Sequence, residues 1–331
     1  MSKYDYLLAK LHAKHSKSII GENFESLKKI KSIENLYKTL LPDEMKKVTP
    51  LLIHSELEKK IKVKIFNEIN NISKYFEYKN PLINNLILRY EIDNLKYLIN
   101  AYYQKKQQIS DLFEIDLKNT LDYKMIYTLD ISKKENIIKI LKKTIFKGLI
   151  KLINNDKDAL FIENYIDKNY YSKLLDSTKQ FSNYEREKIK KLIIEEINWQ
   201  NILWAFRTKI FYNKTFDDIR EYFMNIKGAI PVKYLEIIYM IQFTSAEIKN
   251  KMNKIPGRYK KHIIDSIDNN GNIDVIGMEN KILKELQKRY SKYFYIEYFN
   301  ILPVISFIYI KKTEYSNIVS LIESIRYKIT N

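Results

Sequence analysis

The chain has 331 residues, 45% of them apolar, and 58 Lys and Arg against 40 Asp and Glu give a formal charge of +18. That apolar share excludes a disordered polymer, and the length suits two or three domains of about 100–200 residues, each with its own core. The absence of cysteine excludes disulfides, thiolate metal sites and a cysteine nucleophile.

A basic excess of this size raises nucleic acid as a partner. Two features weaken that reading. Lys, Ile, Asn and Tyr are over-used together and their codons are AT-rich, so genome composition supplies part of the lysine. The cations are also interleaved with acids, as in Glu185-Arg186-Glu187-Lys188-Ile189-Lys190-Lys191, the pattern of a solvated helix face. With only six Gly and six Pro, few breakers interrupt the chain, and the expected class is all-α.

In chain order, Tyr4 to Lys17 reads as a helix with Tyr6, Leu7, Leu11 and His15 near one face. Leu41-Pro42-Asp43-Glu44 is a connection into a further helix, and Pro50 opens the one bearing Ile53, Leu57 and Ile61. Pro81 sits where a first-turn proline is tolerated. Gln107 to Asp111 crosses into the next third. Phe161 to Leu175 is amphipathic, and Ser182-Asn183-Tyr184-Glu185 offers capping residues. Gly228-Ala229-Ile230-Pro231 marks a turn followed by a proline-initiated helix. Pro256-Gly257 and Asn269-Asn270-Gly271 read as turns, and Gly271 to Gly277 as a loop. The opening Met1-Ser2-Lys3-Tyr4-Asp5 lacks the apolar core of a signal peptide. Tyr234–Phe243 and Ile301–Ile310 fall well short of the ~20 residues that span a bilayer. Both are expected to be buried helices of a soluble protein.

One pattern recurs across these elements. Glu91-Ile92-Asp93-Asn94-Leu95-Lys96-Tyr97-Leu98-Ile99 returns as Glu314-Tyr315-Ser316-Asn317-Ile318-Val319-Ser320-Leu321-Ile322. A degenerate copy, Asn198 to Phe206, carries Asn201 and continues into Arg207 and Lys209. Asn followed by Ile or Leu is too frequent here to mean anything alone. The helical phase says more: Ile92, Leu95, Ile99 and Tyr102 form one apolar stripe, Trp199, Ile202, Phe206 and Ile210 a second, and Tyr315, Ile318, Ile322, Ile325 and Ile329 a third. Each asparagine stands one place before the same stripe position. The three asparagines cut the chain into near-equal thirds, so the expected organisation is three similar helical domains at 1–106, 107–212 and 213–331.

Candidate chemistry is sparse. Neither a Gly-x-x-x-x-Gly-Lys-Ser/Thr loop nor a Gly-x-Gly-x-x-Gly turn is present, so no phosphate cradle of those types is expected. His12 and His15 could share a metal, but no third ligand follows at suitable spacing. His54 and Glu56 diverge on a helix, as do the adjacent pairs Asp217-Asp218 and Glu195-Glu196. The 27 tyrosines could stack on bases, although packing is their commoner use. The expectation is a non-catalytic protein without cofactor or metal.

At these motifs the chain resembles the C-type subunit of the V/A-type (vacuolar-type) ATPase or ATP synthase, whose eukaryotic counterpart is the d-type subunit. The resemblance rests on Glu91–Lys96, on Phe161 to Tyr171, on Trp204 to Lys209, on Lys227 to Pro231 and on the block from Ile301 to Ile318. It implies an all-helical funnel of three similar domains around a pseudo-threefold axis. The implied role is a non-catalytic central-stalk adaptor that carries torque between D/F-type shaft subunits and the membrane rotor ring. The implied location is cytoplasmic, peripheral on the inner face of the cell membrane. The family often ends each motif in Arg, whereas Asn100 and Glu323 stand at the two outer positions and only Arg207 keeps the charge. Arg326 and Lys328, one turn later, are candidates to compensate. Expected shaft contacts are therefore Arg207, Lys209, Arg326 and Lys328, with Glu91, Asn94, Asn201, Glu314 and Asn317 as the structural motif. An α-solenoid protein-binding scaffold and a basic RNA-binding protein remain the alternatives.

Overall fold

Scarce Gly and Pro leave few points at which a helix must stop, and the fold follows from that. A computed structural model describes residues 3–42, 53–77, 79–109, 112–115, 117, 120–212, 214–240, 252–268, 272–298 and 300–327. Among them run fifteen α-helices and no strand; an isolated bridge joins Ile267 and Ile273. The class is all-α, as the composition predicts. In order the helices are α1 (Lys3–His15), α2 (Glu22–Leu27), α3 (Ile33–Leu40), α4 (Ile53–Tyr75), α5 (Pro81–Tyr103), α6 (Tyr123–Thr128), α7 (Lys134–Lys142) and α8 (Leu149–Asn154). They continue as α9 (Ala159–Asp176), α10 (Asn183–Arg207), α11 (Phe216–Ile219), α12 (Val232–Met240), α13 (Gly257–Ile264), α14 (Val275–Ile296) and α15 (Leu302–Arg326).

The chain divides into two compact units. The first takes Met1–Tyr90, Asp111–Ile115 and Gln287–Asn331, and the second Glu91–Ser110 and Asp116–Leu286. In the first unit α15 packs along α4, with α1 and α3 beside it. Residues 301–310 are buried without exception, so α15 begins as a helix apolar on every face. Helix α4 buries Leu57, Ile61, Ile65, Ile69 and Ile72, a stripe at helical spacing. Leu57 and Ile69 are fully enclosed. Truncating either to Ala is expected to cost about 2–5 kcal/mol.

In the second unit α10 packs against α9 and α12. A capping box fixes its start: the Ser182 hydroxyl accepts the Glu185 backbone N–H while the Glu185 carboxylate takes the Ser182 backbone N–H. Trp199, fully buried, meets Tyr259 edge-on at 4.6 Å. After Arg207 the helix widens into a π turn over Thr208–Tyr212, where the Thr208 hydroxyl bonds the Trp204 carbonyl at 2.7 Å. That widening ends the second stripe, and Ile210 is exposed as a result.

Other expectations are corrected. Pro256-Gly257 opens α13 rather than turning the chain, with Pro256 at the N-cap. Val275 to Gly277 belongs to the first turn of α14, because the Asp274 carboxylate accepts the Gly277 backbone N–H at 2.8 Å and caps it. Tyr6 faces solvent, and Leu7, Leu8 and Leu11 are the buried side of α1. The connection at Asp43-Glu44, the helix start assigned to Pro50, the end of the Tyr234–Phe243 segment, the turn at 269–271, Lys328 and Ile329 lie outside the described residues.

Candidate functional site

The three motif copies sit within the long helices α5, α10 and α15. Asn80 caps α5, its Oδ1 accepting the backbone N–H of Leu82 at 3.1 Å, whereas Asn300, one place before the N-cap Ile301 of α15, accepts that of Leu302 at 2.9 Å. In α5 the carboxylate of Glu91 is fully buried. It accepts the Leu121 backbone N–H at 2.7 Å and the Tyr123 hydroxyl. The Asn94 amide donates to the same hydroxyl at 2.8 Å and to Glu91 at 3.3 Å. A buried carboxylate survives only with such donors around it.

In α10 the position matching Glu91 holds Asn198. Its carbonyl oxygen accepts the Ile230 backbone N–H at 2.6 Å and its amide donates to the Tyr259 hydroxyl at 2.9 Å. Asn201 takes both backbone groups of Met224, accepting its N–H at 2.9 Å and donating to its carbonyl at 3.1 Å. In α15 the matching residue is Glu314, which accepts the Ile19 backbone N–H at 3.1 Å. Lys311 lies 2.7 Å from Glu314 and 2.9 Å from Glu68 of α4, so one buried ammonium joins two carboxylates. Asn317 is half-buried. The position three places before each asparagine therefore receives a backbone N–H from a distant segment in all three copies.

Contacts between separate helices, which the sequence did not suggest, tie α5 to α9 in the second unit. Lys96 pairs with Asp167 at 2.6 Å, and Asn100 donates to Glu163, whose carboxyl burial pushes above the usual range. Asn100 thus serves a carboxylate inside the fold. The signal was present only as Glu163 and Asp167 one turn apart on α9.

The candidate grip residues fall in different surroundings. Arg207 pairs with Glu279 at 2.7 Å, both half-exposed. Lys209 lies in the π turn, 6.0 Å from the Tyr239 ring centre, and burial lowers its pKa. Both belong to the second unit. Arg326, in the first unit, is exposed beside Glu323 at 3.5 Å and over the Tyr327 ring.

His12 and His15 serve packing. Each ring centre lies 4.6 Å from that of Phe294, and His15 Nδ1 is 3.2 Å from the Tyr295 hydroxyl. Burial pushes the His15 pKa down, with His12 and Lys311 adding repulsion. Asp218 caps α11 with Thr215, and Glu195 faces Arg258 at 3.5 Å. Among the described residues no group of three His, Asp or Glu is arranged to hold a metal, and no helix is long and apolar enough to cross a membrane.

A family model described as "ATP synthase (C/AC39) subunit" matches residues 7–331. None of the curated proteins compared with the chain matches it.

Proposed function

Because the chain belongs to the ATP synthase (C/AC39) subunit family, we propose that it is the non-catalytic adaptor between the central shaft and the membrane rotor ring of a V/A-type ATPase. The family match over residues 7–331, which takes in both compact units, is the observation that carries this reading. The proposed partners are D/F-type shaft subunits on one side and ring subunits on the other, at the inner face of the membrane.

A part that carries torque must be stiff, and α4, α10 and α15 supply 23, 25 and 25 residues of helix packed through apolar stripes. The recurring N–H acceptor at Glu91, Asn198 and Glu314 supports three similar domains, 1–106, 107–212 and 213–331, with Asn94, Asn201 and Asn317 equivalent. The third copy draws its donor from Ile19, so the start of the chain completes the last domain in this reading. Pseudo-threefold closure would then join the first residues to the last helix.

Arg207, Lys209, Arg326 and Lys328 are proposed to grip an acidic shaft foot. Arg207→Glu is expected to weaken shaft binding while changing stability by no more than about 1 kcal/mol, since its pair with Glu279 is half-exposed. Shaft affinity and thermal melting measured on the same variant check this. Unchanged affinity would remove Arg207 from the interface, and a large melting loss would make it structural.

A further inference from the structure

A cleft of about 1030 Å³ opens in the second unit along one face of α10, and none of the candidate shaft-grip residues lines it. Four segments bring cations to it. Lys179 comes from the turn after α9, Arg186, Lys190 and Lys191 from α10, Lys227 from the turn before α12, and Arg258 from the first turn of α13. Among the described residues Asp176 and Glu187 are the only acids lining it, and each is engaged by a lysine of its own segment, at 2.7 Å by Lys179 and 3.4 Å by Lys190. Arg258 reaches the buried Glu195. Arg186, whose guanidinium bonds Asn183, and Lys191 and Lys227 have no carboxylate in ion-pair reach among the described residues.

An ordinary solvated helix face does not look like this. Arg186, Lys190, Ile194 and Asn198 follow one another at four-residue spacing and so share a face. Asn198 at the end of that row is buried, and Leu175, Ile194 and Ile226 supply apolar wall. Gly228, at φ +94°, also lines the cleft and lies against Ile194 of α10. Glycine suits this turn because L side chains rarely adopt that backbone angle. The cations therefore converge over a formed concavity.

We propose that this cleft binds a multiply phosphorylated ligand with an apolar body. Its phosphates would meet Arg186, Lys191 and Lys227, and its body the wall of Leu175, Ile194 and Ile226. Guanidinium and ammonium groups bind phosphate oxygens through charge-assisted hydrogen bonds. The volume suits a small molecule, whose sites run to roughly 300–1000 Å³, better than a length of acidic polypeptide. Binding without hydrolysis is expected, because no phosphate loop is present in the sequence. Nucleotides, whose base would be the body, and phosphoinositides, whose acyl chains would be, share the required chemistry.

The test is calorimetric titration of the full chain with ADP, ATP and pyrophosphate, beside flotation with vesicles containing a phosphoinositide. The variant Lys191→Glu/Lys227→Glu is compared with Lys142→Glu/Lys143→Glu, an equal charge change at exposed positions outside the cleft. Saturable binding is expected in at least one arm, weakened about tenfold or more by the first pair and less than about twofold by the second. Binding of nucleotide alone assigns a free ligand, and binding of vesicles alone assigns a lipid. Equal weakening by both pairs would reduce the effect to net charge and overturn the proposal. So would the absence of saturable binding in both arms, or displacement of the ligand by polyglutamate as readily as by pyrophosphate. If the glutamate pair lowers the melting temperature, Lys191→Gln/Lys227→Gln takes its place, with a severalfold loss expected.

Discussion

The first and third motif copies hold the same kind of residue by different means. Glu91 is surrounded by neutral donors, namely the Leu121 N–H, the Tyr123 hydroxyl and, at 3.3 Å, the Asn94 amide. Glu314 shares the ammonium of Lys311 with Glu68 and adds the Ile19 N–H. The first arrangement depends on neutral hydrogen bonds, two of them from a segment about thirty residues further along the chain. The third joins α4, α15 and the segment after α1, and it rests on one buried charge. Neutral donors fail one at a time, whereas loss of the single cation strands two carboxylates together.

Removing that cation is accordingly expected to have the largest effect. Lys311→Met should destabilise the first unit by about 3–5 kcal/mol, read from denaturant unfolding, because it leaves buried carboxylate charge unpaired. Adding Glu68→Gln and Glu314→Gln to the same chain should recover much of the loss. If the single variant melts like the parent, the trio is not the junction described here.

Next in size are the neutral sites. Asn201→Ala strands both backbone groups of Met224 and Glu91→Ala strands the Leu121 N–H, so each should cost about 1–3 kcal/mol. Glu91→Gln keeps an oxygen acceptor for Leu121 and should cost less than Glu91→Ala. Equal losses for the two Glu91 variants would mean that charge, rather than the N–H bond, matters there.

The smallest effect concerns pH. Burial holds the His15 pKa below its ordinary 6.5, so near that pH the folded state binds fewer protons than the unfolded chain. Stability from this group is present above about pH 6.5 and is lost as pH falls toward the folded pKa. His15→Gln should flatten the melting temperature between about pH 7 and 5 relative to the parent. A parallel pH dependence in the two proteins would remove His15 as a contributor.

Much of the fold could be read from residue order because it rests on local signals. The stripe Ile92, Leu95, Ile99 and Tyr102 is buried as its spacing predicts, and Ser182 with Glu185 caps α10. The run Ile301–Ile310, too short for a membrane, is a wholly buried helix start. Where two local signals compete, reading fails: Pro256-Gly257 looks like a turn and Val275 to Gly277 like part of a loop, yet a proline N-cap and the Asp274 cap make them helix starts. Distant pairings are harder still. Nothing near Glu314 names Ile19 as its donor, and nothing near Lys96 names Asp167, since these depend on how helices far apart in sequence pack. The basic cleft was hidden for the same reason, because its cations come from four separated segments and its acids are interleaved with them.

Coupling in the intact complex provides the most direct test of the adaptor role. ATP hydrolysis and ion transport should be measured in a purified ATPase complex prepared with and without this chain. If the chain joins shaft to ring, its removal should leave hydrolysis in the catalytic head but abolish transport, and adding the purified chain back should restore transport. Transport that stays coupled to hydrolysis in the chain's absence would contradict that role.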